Sequence, residues 1–382
     1  MKLKSWAFGA LLVVAAQAAH ADIKIGVMLP LTGPGASIGL PEKQTIALLP
    51  TELDGQKIDY IVTDTGSDPT RSVTEAKRLI QDERVAAIIG PSFTPDCLAI
   101  IDVVGENKVP NISLGAGSKI TTPVSGNREW VFSVAQSTAL MAKHVVADMV
   151  SRKIRTVGFI GLDQAYGEEW WDAFSEDAKA AGIRILDSER YSPTSTSVLG
   201  QALHIVQTKP QAILIAAAGT TGVLPEKTLR QIGFKGQLYQ THGVANPAFL
   251  HLCGSTCDGT LMPVAPGLVA PQLSADNPAR AEGMKCTEAY EGKYGKGSMS
   301  VFTLIAWDAP LLFERALPIA LQHAKPEDLP AFRAALRDAI AGLHDVHGAD
   351  GVYTMGPHNH NGLDYRAAVM VQIEHGTWKL VR

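Results

Sequence analysis

The sequence predicts an α/β protein built as two doubly wound, parallel-sheet lobes joined by a multi-strand hinge. Short β-rich runs alternate with amphipathic stretches, the pattern of parallel strands linked by crossover helices. The alternation comes as two successive sets of four. The chain is also long: 382 residues, 46% of them apolar and 6% aromatic, are too many for one hydrophobic core and suit two.

The first set has strands at residues 23–29, 57–64, 85–90 and 109–114. Each is followed by a helical pattern, such as 72–82, where Val73, Ala76, Leu79 and Ile80 share one face. Residues 126–137 have no helical partner before them, and Trp130 to Ala135 reads as a strand crossing between lobes. The second set has strands at 156–163, 184–191, 212–219 and 237–244, with a helix at 139–149. Residues 259–266 form a second extended crossing, followed by helices near 279–294, 303–321 and 327–341 and β-like runs at 351–355, 366–374 and 377–381. The expected division is a 1–21 signal peptide, an N-terminal lobe of 22–134 plus 266–345, and a C-terminal lobe of 135–265 plus 346–382.

Lys2 and Lys4 precede an apolar run from Trp6 to Ala16 and then Ala19-His20-Ala21, an export signal with cleavage before Asp22. A membrane anchor needs about 20 apolar residues, roughly twice this run. A lipoprotein needs a cysteine just after the run, and the first cysteine is Cys97. The expected location is the periplasm. Without Lys2 and Lys4 the 34 basic residues fall to 32 against 38 acidic ones, with no basic cluster, so nucleic acid is not an expected partner. Of four cysteines only Cys253 and Cys257 are a local pair. An oxidising compartment favours a disulfide between them, while zinc would need a second pair that is missing.

In open parallel sheets, ligands bind beyond the carboxyl ends of strands. After the first strand, Gly33 and Gly35 are followed by Gly39, not by a glycine at 38, which departs from the dinucleotide fingerprint. After the third comes Gly90-Pro91-Ser92 and then Thr94-Pro95. Thr94 reads as a helix N-cap or as a hydroxyl that holds a carboxylate at a helix start, and one residue can do both. Gly115-Ala116-Gly117-Ser118 after the fourth strand offers an amide nest. The second lobe contributes the run from Asp163 to Gly167 with Tyr166 in it, then Gly219-Thr220-Thr221, then Thr241-His242-Gly243. Nucleophile-elbow, zinc-protease and phosphate-loop motifs are all missing, so no enzyme and no cofactor is expected. His344, His347, His358 and His360 raise the question of a metal; their Gly, Asp and Asn neighbours favour a solvated loop.

Several segments together resemble the type I periplasmic binding proteins of branched-chain amino acid ABC transporters: IKIGVMLPLTGPGASIG at 23–39, Ser67-Asp68-Pro69, Gly90-Pro91-Ser92, the run from Asp163 to Glu168, and the 259–262 strand. The similarity runs from Ile23 to the C-terminus. It implies a ligand closed between two lobes, delivered to a membrane permease by a protein that is not itself inserted in the membrane. It also implies that Thr94 and Ser92 bind the ligand carboxylate, that Gly115 makes a backbone contact, and that Ile38 faces the ligand side chain. Gly117 falls where amino-acid binders carry threonine, and Tyr166 matches a tyrosine of the second lobe. One departure matters. Where those binders set a glutamate against the ligand ammonium, this chain reads Gln240-Thr241-His242-Gly243-Val244-Ala245-Asn246. Burying an ammonium without a carboxylate costs several kcal/mol. The string looks like the branch associated with aromatic carboxylates, which favours a benzoate derivative over a branched-chain amino acid unless Asp163, Glu168 or Glu169 supplies the missing charge. A sensor on the same fold is the remaining alternative.

Overall fold

The computed structural model describes residues 22–381; the expected signal peptide lies outside the described residues. The chain runs β1 (Ile23–Leu29), α1 (Ala36–Ile46), β2 (Glu52–Leu53), β3 (Gln56–Asp64), α2 (Pro69–Gln81), β4 (Ala87–Ile89), α3 (Thr94–Glu106), β5 (Asn111–Ser113), α4 (Ser118–Thr121) and β6 (Val131–Ser133). The second lobe follows as α5 (Thr138–Ser151), β7 (Thr156–Leu162), α6 (Ala165–Ala180), β8 (Arg184–Tyr191), α7 (Leu199–Gln207), β9 (Ala212–Ala216), α8 (Val223–Gln231), β10 (Gln237–Gln240), α9 (Pro247–Cys253) and β11 (Leu261–Val264). Then come α10 (Arg280–Tyr294), α11 (Val301–His323), α12 (Leu329–Ala341), β12 (Val346–His347), β13 (Val352–Tyr353), β14 (Val369–Glu374) and β15 (Thr377–Leu380).

One sheet has strand order β2-β3-β1-β4-β5-β6 and the other β15-β14-β11-β10-β9-β7-β8. Central strands such as β1, IKIGVML, are buried almost throughout because helices cover both faces, hence their continuous apolar runs. Strand order reverses at β1 in the first sheet and at β7 in the second, so each lobe has its own switch point. Helix starts are fixed locally: the Asp68 carboxylate accepts the Arg71 amide ahead of Pro69, and Ser137 and Ser300 cap α5 and α11 in the same way.

The 130–135 crossing is shorter than expected. Trp130 belongs to a 3-10 turn, and Val131–Ser133 joins the first sheet as its last strand, parallel to β5. The late β-runs also differ from a parallel continuation. β13 pairs only with β12 in a small ribbon, while β14 lies antiparallel to β11 with β15 beyond it. The segments between the sheets are tied together: Gln136 Nε2 donates to the Asp350 carboxylate, Tyr353 Oη reaches the Val134 carbonyl, and Asn361 Nδ2 bridges the Ser133 and Ala135 carbonyls. Near this junction Asp308 and Asp350 are both fully buried, and burial holds both carboxyls above their usual range.

Cys253 and Cys257 are joined as a disulfide, while Cys97 and Cys286 are buried thiols. The late histidines do not act as one loop. His344, His347 and His358 are exposed, but His360 is buried, stacked on Phe132 and bonded through Nδ1 to the Val131 carbonyl. The solvated-loop expectation therefore fails for His360, because the 356–361 turn folds back onto β6. Among the described residues no cluster of metal-ligating side chains occurs, and no helix is long and apolar enough to cross a membrane.

Candidate functional site

The carboxyl ends of β4 and β5 in one sheet and of β7, β9 and β10 in the other face a shared cavity. Its walls include Ile38, Ser92, Thr94 and Ala116 from the first lobe and Gln164, Tyr166 and His242 from the second, with Phe302 and Ile305 from the start of α11. The cavity is partly enclosed and narrow, about 390 Å³. A larger depression of about 1390 Å³ lies between α5 and the β14–β15 edge. It is open to solvent, and its histidine, His144, is already stacked on Tyr365 and bonded to the Tyr365 carbonyl. The interlobe cavity instead collects buried polar atoms that have no partner.

Tyr166 and His242 are 5% and 2% exposed. The Tyr166 Oη, both His242 ring nitrogens and both polar atoms of the Gln164 amide are buried without a hydrogen bond. Five such atoms on one wall are unusual, since each unpaired buried group costs about 1–3 kcal/mol. Burial pushes the Tyr166 hydroxyl up to about 12 and the His242 imidazole down to about 3, so at neutral pH both are uncharged. Neutral imidazole presents one N–H and one lone pair. Tyr166, Trp170 and His242 form a ring triangle, with centroids 6.0 Å apart for Tyr166–His242 and 5.9 Å for Trp170–His242.

On the first lobe, Thr94 is buried at the start of α3. The expectation that it caps the helix is not met. Phe93 occupies the cap position and makes no side-chain capping bond, which puts Thr94 inside the first turn beside the cavity. Ser92 Oγ donates to Glu42 Oε2 at 2.6 Å; burial raises the Glu42 carboxyl well above its usual range, and the Ser92 bond pulls the other way. Ala116 lines the cavity, but the neighbouring glycines do not. Gly115 donates its amide to Ser113 Oγ and accepts Ser133 Oγ on its carbonyl, so both backbone groups are already engaged. At Gly117 an added Cβ would lie 2.7 Å from the Thr94 methyl and 2.9 Å from Glu169 Oε1, so a threonine there would have to displace one of those side chains. Thr220 lines a separate surface depression with Pro34 and Tyr191.

None of the three candidates for the missing carboxylate lines the cavity. Asp163 is exposed, Glu168 grips Arg190 through two bonds, and Glu169 accepts the Lys119 amide across the lobes. Burial raises the Glu169 carboxyl, opposed by the Lys119 amide and charge, and its Oε1 is unpaired. Phe93, Leu114, Phe302 and Ile305 are wall residues that sequence reasoning did not single out. Gln164 lies inside the 163–167 run that the strand-end rule picks out. Phe302 and Ile305 carry no such signal.

Two switch-point sheets closing on a partly enclosed cavity with unpaired polar atoms define a two-lobed binding protein. The model of the family described as periplasmic binding protein matches residues 22–377, and the chain belongs to that family. It is a solute-binding protein of the ABC-transporter type, not an enzyme. It is 23% identical to the Leu/Ile/Val-binding protein BraC3 of Rhizobium johnstonii over 84% of each chain. An extracellular ligand-binding receptor from Rhodopseudomonas palustris HaA2 is 38% identical, with a TM-score of 0.91 over 95% of this chain and all of that one. A benzoate-bound R. palustris ABC solute-binding protein shares the fold at 18% identity, with a TM-score of 0.77 over 94% of this chain and 96% of that one.

Proposed function

We propose that this protein captures a small aromatic carboxylate between its lobes and presents it, in the closed form, to an ABC permease. The observation that carries this reading is the neutrality of the second-lobe wall. His242 stands where an ammonium would need a carboxylate, and burial keeps it uncharged. On the first lobe, the Thr94 hydroxyl and the backbone near Ala116 are suited to the ligand's acid group. The walls between are apolar, with Ile38, Phe93, Phe302 and Ile305, and a planar ring suits so narrow a space. Bridging contacts of this kind favour the closed form by their differential affinity. The lobes so joined would comprise 22–134 plus 266–345 and 135–265 plus 346–382.

One observation favours a second reading, a hydrophobic amino acid: the buried Glu169 keeps an unpaired Oε1 close to Thr94 and Gly117. Titration calorimetry with benzoate and hydroxybenzoates beside leucine and valine separates the two. The aromatic-acid reading expects heat from the benzoates alone. Micromolar leucine binding with no heat from any aromatic acid would transfer the role to Glu169.

A further inference from the structure

Resting on the aromatic-acid reading, we propose that the second-lobe wall selects a ring hydroxyl: the preferred ligand is a hydroxylated aromatic acid, and the wall discriminates hydroxyl from hydrogen, ether and carboxylate at that position. The wall brings together five buried polar atoms without partners, on His242, Gln164 and Tyr166, all lining the cavity. They include both donors and acceptors. A neutral imidazole has one of each, the amide has one of each, and the phenol can serve as either. Around the Tyr166 oxygen lie the Trp170 indole, the Gly243 amide and Thr241, whose own proton goes to the Ala217 carbonyl, and none of them closes a well-formed bond to it.

The complement to such a wall is a group that donates and accepts at once, which is what a hydroxyl does. A bare ring edge leaves all five atoms unpaired. A methoxy group accepts only and adds a methyl to a narrow space. A second carboxylate also accepts only, and it would lie in a wall with no cation. Sites that hydrogen-bond a substrate hydroxyl reject the analogue lacking it because their own buried groups are then left unpaired.

The test is calorimetric titration of the wild-type protein with benzoate, the three monohydroxybenzoates, 4-methoxybenzoate and terephthalate, repeated on His242→Leu. At least one hydroxybenzoate should bind about 10- to 100-fold tighter than benzoate, with methoxybenzoate and terephthalate no tighter than benzoate. In His242→Leu the hydroxyl preference should shrink to a few-fold. Equal wild-type affinity for benzoate and every hydroxybenzoate would overturn the hydroxyl inference and leave the aromatic-acid reading standing. Methoxybenzoate matching the best hydroxybenzoate would overturn the donor part of the argument. Silence from every aromatic acid would remove the underlying reading itself. The wild-type series alone decides, so the inference stays testable even if the variant does not fold.

Discussion

Replacing His242 by leucine should make the protein more stable, and more so in acid. The ring is fully buried with both nitrogens unpaired, and each unpaired group costs about 1–3 kcal/mol. Leucine is close in volume and carries no polar atom. Two such groups, less about 1 kcal/mol for imperfect repacking, give a net gain at pH 8 of about 1–5 kcal/mol. Acid widens it. Burial lowers the folded-state value of His242 to about 3, against 6.5 for the free side chain. Between those values the unfolded chain binds the proton and the folded chain does not, so the stability of the wild type falls as pH falls through this window. At pH 5 that loss is about 2 kcal/mol, at about 1.4 kcal/mol per pH unit. Leucine has no proton to bind. Its advantage should therefore be about 2 kcal/mol larger at pH 5 than at pH 8. Urea unfolding of both proteins at the two pH values, followed by tryptophan fluorescence, measures it. A variant less stable than wild type at both pH values, or an advantage that does not change with pH, would mean that the imidazole has a partner, and the argument from unpaired nitrogens would fall.

The other consequences concern the opposite wall and the second-lobe interior. Thr94→Val keeps the shape and removes the hydroxyl, so affinity for a bound aromatic acid should fall about 10- to 100-fold, as for loss of a bond to a charged group, with stability changed by less than about 1 kcal/mol; calorimetry and thermal unfolding read the two separately. Glu226 is fully buried, accepting the Thr260 hydroxyl and the Gln240 amide, and burial raises its carboxyl to about 7 from 4.5. The folded chain holds the proton where the unfolded chain does not, so its contribution is present below pH 4.5 and lost as pH rises to about 7. Glu226→Gln should then stabilise the protein by up to about 3 kcal/mol at pH 8 and little at pH 4 in urea unfolding.

Much of the fold is legible in the sequence because its signals are local. The strands of the two parallel sets are continuous apolar runs, since helices bury both faces, and α2 carries its stripe at Ala76, Leu79 and Ile80 behind the Asp68 cap. The antiparallel direction of β14 is not legible, because its apolar pattern suits either direction and the choice is made by pairing with β11 across more than a hundred residues. The cavity follows the same division. Thr94, Ala116, Tyr166 and His242 lie just beyond strand ends, where the topology of open sheets points. Gly115 and Thr220 satisfy that rule equally well yet stand outside the wall; local hydrogen bonds fix the Gly115 backbone, and Thr220 faces a different depression. Phe302 and Ile305 reach the cavity from the first turn of α11, a placement set by how that helix docks between the lobes. Nothing in their own neighbourhood distinguishes them from core residues.

The absence of a carboxylate among the residues lining the cavity is the centre of the functional account, and one matched pair of ligands isolates it. Phenylalanine and 3-phenylpropanoate share ring, chain and acid group and differ by a single ammonium. Burying that ammonium without a partner costs several kcal/mol, which corresponds to at least about 100-fold in affinity. In one calorimetric experiment on the wild-type protein, 3-phenylpropanoate should bind and phenylalanine should bind at least about 100-fold more weakly. Phenylalanine binding as tightly as 3-phenylpropanoate, or more tightly, would contradict the account and identify this protein as an amino-acid binder.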